Sequence, residues 1–147
     1  MSLTEQLTEA MKQAMKARDD LRLSAVRMIR SAVKNREIEL KTALDDQGVI
    51  EVISTLVKQR RESIRLYQEG NRPDLVEKEQ AELAVLLGFL PAQLSTEEIS
   101  ALVSQVIAET GAQGIKDMGR VMKALAPLTS GKADGKTVSD IVRQQLS

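Results

Sequence analysis

The sequence predicts an all-α protein. Three observations point there: apolar residues return at spacings of three and four along the whole chain, strand-type alternation is absent, and the aromatics are only Tyr67 and Phe89 with no Trp.

The first helix is expected to open at Ser2, whose side chain can cap while Glu5 reaches back, with Leu3, Leu7, Met11 and Ala14 or Met15 in line. Asp19 and Asp20 mark a break and a new start. The second helix presents Leu23, Val26, Ile29 and Val33, fades toward Leu40 and ends before the Asp45–Gly48 turn signal. A third runs from about Asp46 to Glu69 on Ile50, Ile53, Val57, Ile64 and Tyr67, with Gly70 as its C′ residue. After Asn71-Arg72-Pro73-Asp74, a fourth carries Leu75, Leu83, Leu86, Leu87 and Leu90 until Pro91 stops it.

Beyond that proline, Ser95 and Glu98 have capping-box spacing. They open a fifth helix on Ile99, Leu102, Val103, Val106 and Ile107 that finishes at Gly111. A shorter sixth starts near Asp117, uses Val121, Met122 and Leu125, and is limited by Pro127; a seventh starts near Lys136 and uses Val138, Ile141, Val142 and Leu146. Four longer helices and three short ones suggest a boundary within residues 91–95, giving an N-terminal four-helix domain, 1–92, and a small C-terminal three-helix bundle, 93–147.

Lys+Arg and Asp+Glu both number 21, so net charge is zero, but its distribution is uneven: 13 basic and 10 acidic residues in 1–67, 2 and 7 in 68–98, 6 and 4 in 99–147. An acidic middle lies between two mildly basic ends. Cys and His are absent, which excludes thiolate nucleophiles, disulfides, imidazole bases and metal sites built on S or N ligands. No cofactor or metal site is expected. The N-terminus MSLTEQLTEAMK has no signal-peptide pattern, and the most apolar segment, Ala84–Ala92, is nine residues with a proline in it, so no membrane partner and a cytoplasmic location are expected.

The stretch SGKADGKT, Ser130 to Thr137, nearly matches the phosphate-binding loop G-x-x-x-x-G-K-[ST], with Ser130 where the first glycine belongs. That loop needs a strand before it. Here the preceding VMKALAPL is helical and ends in Pro127-Leu128, so no nucleotide is expected. An inter-helix turn accounts for the stretch: Gly131 permits a left-handed helix end, and Asp134 or Thr137 caps the next helix. Lys132 and Lys136 flank a helix N-terminus, where backbone N–H groups favour anions.

The segment DMGRVMKALAPLTSGKADGKTVSDIV (Asp117 to Val142) resembles the signature tail of the GatB/YqeY family. RMIRSAVKNREIE (Arg27 to Glu39), VKQRRESI (Val57 to Ile64) and FLPAQLS (Phe89 to Ser95) resemble its N-terminal blocks. The likeness covers essentially the whole chain and matches the free-standing YqeY-like members. It implies an N-terminal helical domain and a three-helix tail. The related tail ends the B subunit of the glutamine-dependent amidotransferase that corrects misacylated Glu-tRNA(Gln) or Asp-tRNA(Asn), and there it helps to hold the tRNA. A similar module is appended to some bacterial glutaminyl-tRNA synthetases. The resemblance supplies no catalytic site, and a carbon–nitrogen ligase activity with glutamine as amido donor would follow by homology alone.

The expectation is therefore a non-catalytic tRNA-associated protein. Its alternatives are an adaptor for a tRNA synthetase or amidotransferase, and a ligase in its own right. Recognition of folded RNA by shape uses Lys and Arg on phosphates without base stacking. The candidate tail contacts are Arg120, Lys123, Lys132 and Lys136. In the first domain Arg27, Arg30 and Lys34 form one basic stripe and Lys58, Arg61 and Arg65 another; each is a further RNA face or a solvated face, with Glu37, Glu62 and Glu69 placed to neutralise it. Arg60 falls on the apolar stripe of the third helix and is expected to pair, with Asn35 or Glu37 as partner. Met11, Met15, Met28, Met118 and Met122 are core residues or, if exposed together, an adaptable groove.

Overall fold

The computed structural model describes residues 1–147, and its regular elements are helices: α1 Leu3–Ala17, α2 Asp20–Leu40, α3 Asp46–Glu69, α4 Pro73–Gly88, α5 Thr96–Thr110, a short 3-10 helix Ile115–Asp117, α6 Met118–Thr129 and α7 Gly135–Leu146. The chain forms two compact units, Met1–Leu90 and Pro91–Ser147.

Local side chains start most of these helices by satisfying amides that have no intrahelical partner. Ser2 Oγ accepts from Glu5 N–H at 3.1 Å, Asp19 from Arg22 N–H at 3.1 Å, and Asp45 from Gly48 N–H at 2.8 Å. Glu5 does not reach back; the Gln6 amide bonds the Met1 carbonyl instead. The capping box at α5 is complete, with Ser95 Oγ accepting from Glu98 N–H at 3.1 Å and Glu98 Oε1 accepting from Ser95 N–H at 3.0 Å. The Ser95 backbone bond, joined by its hydroxyl, holds the Glu98 carboxyl below the usual carboxylate range. A depressed folded-state value stabilises above the unfolded one, and that contribution disappears as pH falls through the folded value. Acid titration of the second unit followed by circular dichroism is expected to show less acid loss in Glu98→Gln than in the parent. Ser95→Ala is expected to cost about 1 kcal/mol in a urea titration.

Three ends differ from expectation. Gly70 has φ −81°, and Asn71 takes the left-handed conformation at φ 54°, since Asn tolerates that region. Helix α4 stops at Gly88, short of Pro91, because a proline disfavours helical backbone in the residue before it. Pro127 lies inside α6, which continues to Thr129. Its ring removes the amide that would serve the Lys123 carbonyl, a small loss two residues from the helix end, and Ser130 N–H still bonds the Ala126 carbonyl at 3.0 Å.

The core of the first unit gathers Leu3, Leu7 and Ala10 of α1, Val26, Ile29 and Val33 of α2, Val49, Ile53, Leu56 and Val57 of α3, and Leu86 of α4. Leu3 N–H donates to Asp46 Oδ1 at 3.0 Å, tying the start of α1 to that of α3, and Glu37 Oε2 accepts from Leu44 N–H at 2.9 Å across the α2–α3 connection. At Gly48 a Cβ would meet Leu44 Cδ2 at 3.0 Å, so a larger residue there would require the Leu44 side chain to shift. Met11 and Met28 pack against this core, and Met118 and Met122 against that of the second unit, while Met15 is exposed. The methionines therefore do not form one exposed groove.

Arg60 is paired within the first unit, but with neither Asn35 nor Glu37. Its Nε lies 3.0 Å from Glu82 Oε2 and 3.3 Å from Glu79 Oε2, both on α4. Neither approach has hydrogen-bond direction. The distances define ion pairs all the same, because Coulomb attraction between side chains only 14–20% exposed does not require a linear bond. Nη2 of Arg60 rests on the Met28 sulfur. Glu37 Oε2 instead accepts from the Leu44 amide.

In the second unit Ile99, Val103 and Val106 of α5 meet Val121 and Leu125 of α6 and Val138, Val142 and Leu146 of α7. One polar network accompanies them: Gln145 Nε2 donates to the Ser100 carbonyl at 3.0 Å and Ser104 Oγ donates to Gln145 Oε1 at 2.8 Å, joining α7 to α5.

Candidate nucleic-acid interface

The α6–α7 turn is built from backbone bonds. Gly131 is left-handed at φ 73°, a conformation that suits glycine, and Lys132 N–H and Ala133 N–H both return to the Thr129 carbonyl. Two bonds from the segment before α5 hold the turn from outside: Leu94 N–H donates to the Lys132 carbonyl at 2.8 Å and Gln93 Nε2 donates to the Gly131 carbonyl at 2.8 Å. Lys132 and Lys136 are exposed on either side of this pinned segment. Asp134 stands at the N-cap of α7 without bonding its first amides, and its carboxylate accepts from the Thr137 hydroxyl at 3.4 Å. Those amides remain open to solvent or to an anion.

On α6, Lys123 is exposed, and Arg120 pairs with Asp117 at 3.4 Å with its side chain still 56% exposed. A surface pair of that kind is worth about 0–1 kcal/mol and is exchanged readily for another anion. The structure thus keeps all four candidate tail cations at the surface of one unit.

The stripes of the first unit differ from each other. On α3, Arg65 bonds both Glu62 and Glu69. The Glu62 hydrogen bond, with the charges of both carboxylates, pushes its guanidinium further up from its ordinary value, so Arg65 is locally neutralised while Lys58 and Arg61 remain exposed. On α2, Arg27, Arg30 and Lys34 line a groove of ≈ 470 Å³ against α1.

A family model described as Yqey-like protein matches residues 4–146. The chain belongs to the YqeY-like family. Among curated relatives, proteins named "Altered inheritance of mitochondria protein 41, mitochondrial" are similar to it. The one from Lachancea thermotolerans is 39% identical over 107 residues, covering 70% of this chain and 57% of the relative. Another, from Kluyveromyces lactis, is 37% identical over 106 residues, covering 70% and 57%; one from Saccharomyces cerevisiae is 37% identical over 81 residues, covering 54% and 44%. The chain spans about half the length of the curated relatives it matches.

These names correct one expectation from the sequence. A cytoplasmic location does not stand against relatives that are named mitochondrial. Composition and the lack of a signal-peptide pattern describe solubility and local hydropathy, and neither property distinguishes one aqueous compartment from another.

Two contributors to the turn of this YqeY-like chain escaped sequence reasoning. Gln93 and Leu94 hold the Lys132 loop from 38 residues away in sequence, and such a contact has no periodic signature. The only local signal is a polar Gln between Pro91 and the Ser95 cap, where a solvated linker gives the same pattern.

Proposed function

We propose that this YqeY-like protein is a tRNA-associated binding protein in which α5–α7 act as an RNA-holding tail behind a four-helix domain. The observation that carries this reading is the pinned α6–α7 turn. It presents Lys132 and Lys136 beside the uncapped start of α7, with no carboxylate paired to either lysine. A phosphate approaching there meets mobile ammonium groups and fixed backbone N–H groups together. Arg120 and Lys123 extend the contact along α6. The absence of aromatic residues from the second unit favours backbone recognition: Tyr67 and Phe89 both lie in the first unit, which leaves α5–α7 without a stacking platform. The reading includes no reaction.

Filter binding of bulk tRNA to the full chain tests it. Lys132→Glu/Lys136→Glu is expected to weaken binding by at least tenfold, since two favourable phosphate contacts become two repulsions. Equal affinity of this variant and the parent would defeat the proposal.

A further inference from the structure

We propose that the groove between α1 and α2 is a docking site for an acidic amphipathic helix of a partner protein. Its floor is Leu7, Met11 and Val33, and its rim is Arg27, Arg30 and Lys34. The aliphatic stems of such cations can add to an apolar floor while the heads of Arg27 and Lys34, both exposed residues, stay in water. Along α2 the first and last are seven positions apart, about 10 Å at the α-helical rise, which is the reach of acidic residues at i, i+3 or i+4, and i+7 of a second helix.

Charge selects the occupant. The carboxylate at the groove, Glu37, is engaged by Leu44 N–H; on α3, by contrast, Arg65 is captured by two glutamates. None of the chain's ion pairs engages Arg27, Arg30 or Lys34, which leaves them open to an external anion. Arg30 Nη1 contacts the Met11 sulfur, which holds its guanidinium across the groove. The chain's own acidic helix is committed elsewhere: Asp74 of α4 pairs with Arg72, and Glu79 and Glu82 pair with Arg60. An RNA backbone fits less well, because phosphodiesters gain nothing from Leu7, Met11 and Val33 and no aromatic lines the groove to stack a base. A helix with carboxylates beside an apolar stripe satisfies both walls.

A display library of random helical peptides, panned on the full chain, tests the proposal. Enriched peptides are expected to be net acidic with apolar residues at i, i+3 or i+4, and i+7. By fluorescence anisotropy their affinity is expected to fall about tenfold or more in Arg27→Glu/Lys34→Glu and to stay unchanged in Lys132→Glu/Lys136→Glu. Both groove positions are exposed, and circular dichroism checks the fold; Arg27→Gln/Lys34→Gln repeats the test with smaller disturbance. No enrichment, enrichment of neutral or basic peptides, or indifference to both groove variants overturns the proposal. So does a result in which Arg27→Glu/Lys34→Glu weakens tRNA binding as much as Lys132→Glu/Lys136→Glu and leaves peptide binding intact, which would make the groove an RNA surface.

Discussion

Leu125→Ala is expected to unfold the second unit at room temperature while the first unit stays folded. Leu125 has no exposed surface and sits among Val121 on its own helix and residues of α5 and α7. Truncating such a leucine costs about 2–5 kcal/mol through lost transfer energy and the cavity left behind. A bundle confined to residues 91–147 has roughly 3–5 kcal/mol in total, so the loss is comparable with the whole. Amide exchange read helix by helix decides the outcome: α5, α6 and α7 lose protection and α1–α4 keep it. Retained protection throughout α5–α7 would mean that the unit has a larger reserve than its size allows.

Arg60→Leu is expected to destabilise the first unit by about 2–4 kcal/mol, because it leaves Glu79 and Glu82 facing each other in a largely dry site with no cation between them. The leucine itself suits the stripe between Val57 and Ile64, so lost packing is a minor part. Adding Glu79→Gln and Glu82→Gln to Arg60→Leu removes the stranded charges and is expected to restore most of the loss, a coupling that a mutant cycle in urea measures directly. Additive losses across the cycle would show that the three side chains act independently.

The all-helical class and most helix starts were legible because they are written locally. Ser2, Asp19, Asp45 and Ser95 each cap an amide three residues away, and Gly111 ends α5 in the left-handed conformation at φ 68°. A span of four residues contains all that decides such a feature. Arg60 marks the limit. Its position on an apolar stripe announced a pairing, yet its partners lie on α4, about twenty residues further along. Periodicity identifies the buried face of a helix but not the helix that covers it. The same limit applies to the basic stripes: the spacing of Arg27, Arg30 and Lys34 was visible, whereas the groove required Leu7 and Met11 from α1 to stand opposite. Pro127 shows a local rule overridden, since Leu125 and the buried Thr129, whose hydroxyl bonds the Leu125 carbonyl at 3.1 Å, keep the last turn of α6 wound past it.

The most direct test of an RNA-holding tail is the salt dependence of tRNA affinity for the full chain, measured from 50 to 200 mM monovalent salt. Four phosphate contacts from Arg120, Lys123, Lys132 and Lys136 predict a log–log slope of about −3 to −4 and a loss on the order of a hundredfold over that range. In Lys132→Glu/Lys136→Glu the slope is expected to flatten by about two. No tRNA binding at 50 mM salt, or binding whose slope is the same in parent and variant, would contradict the account.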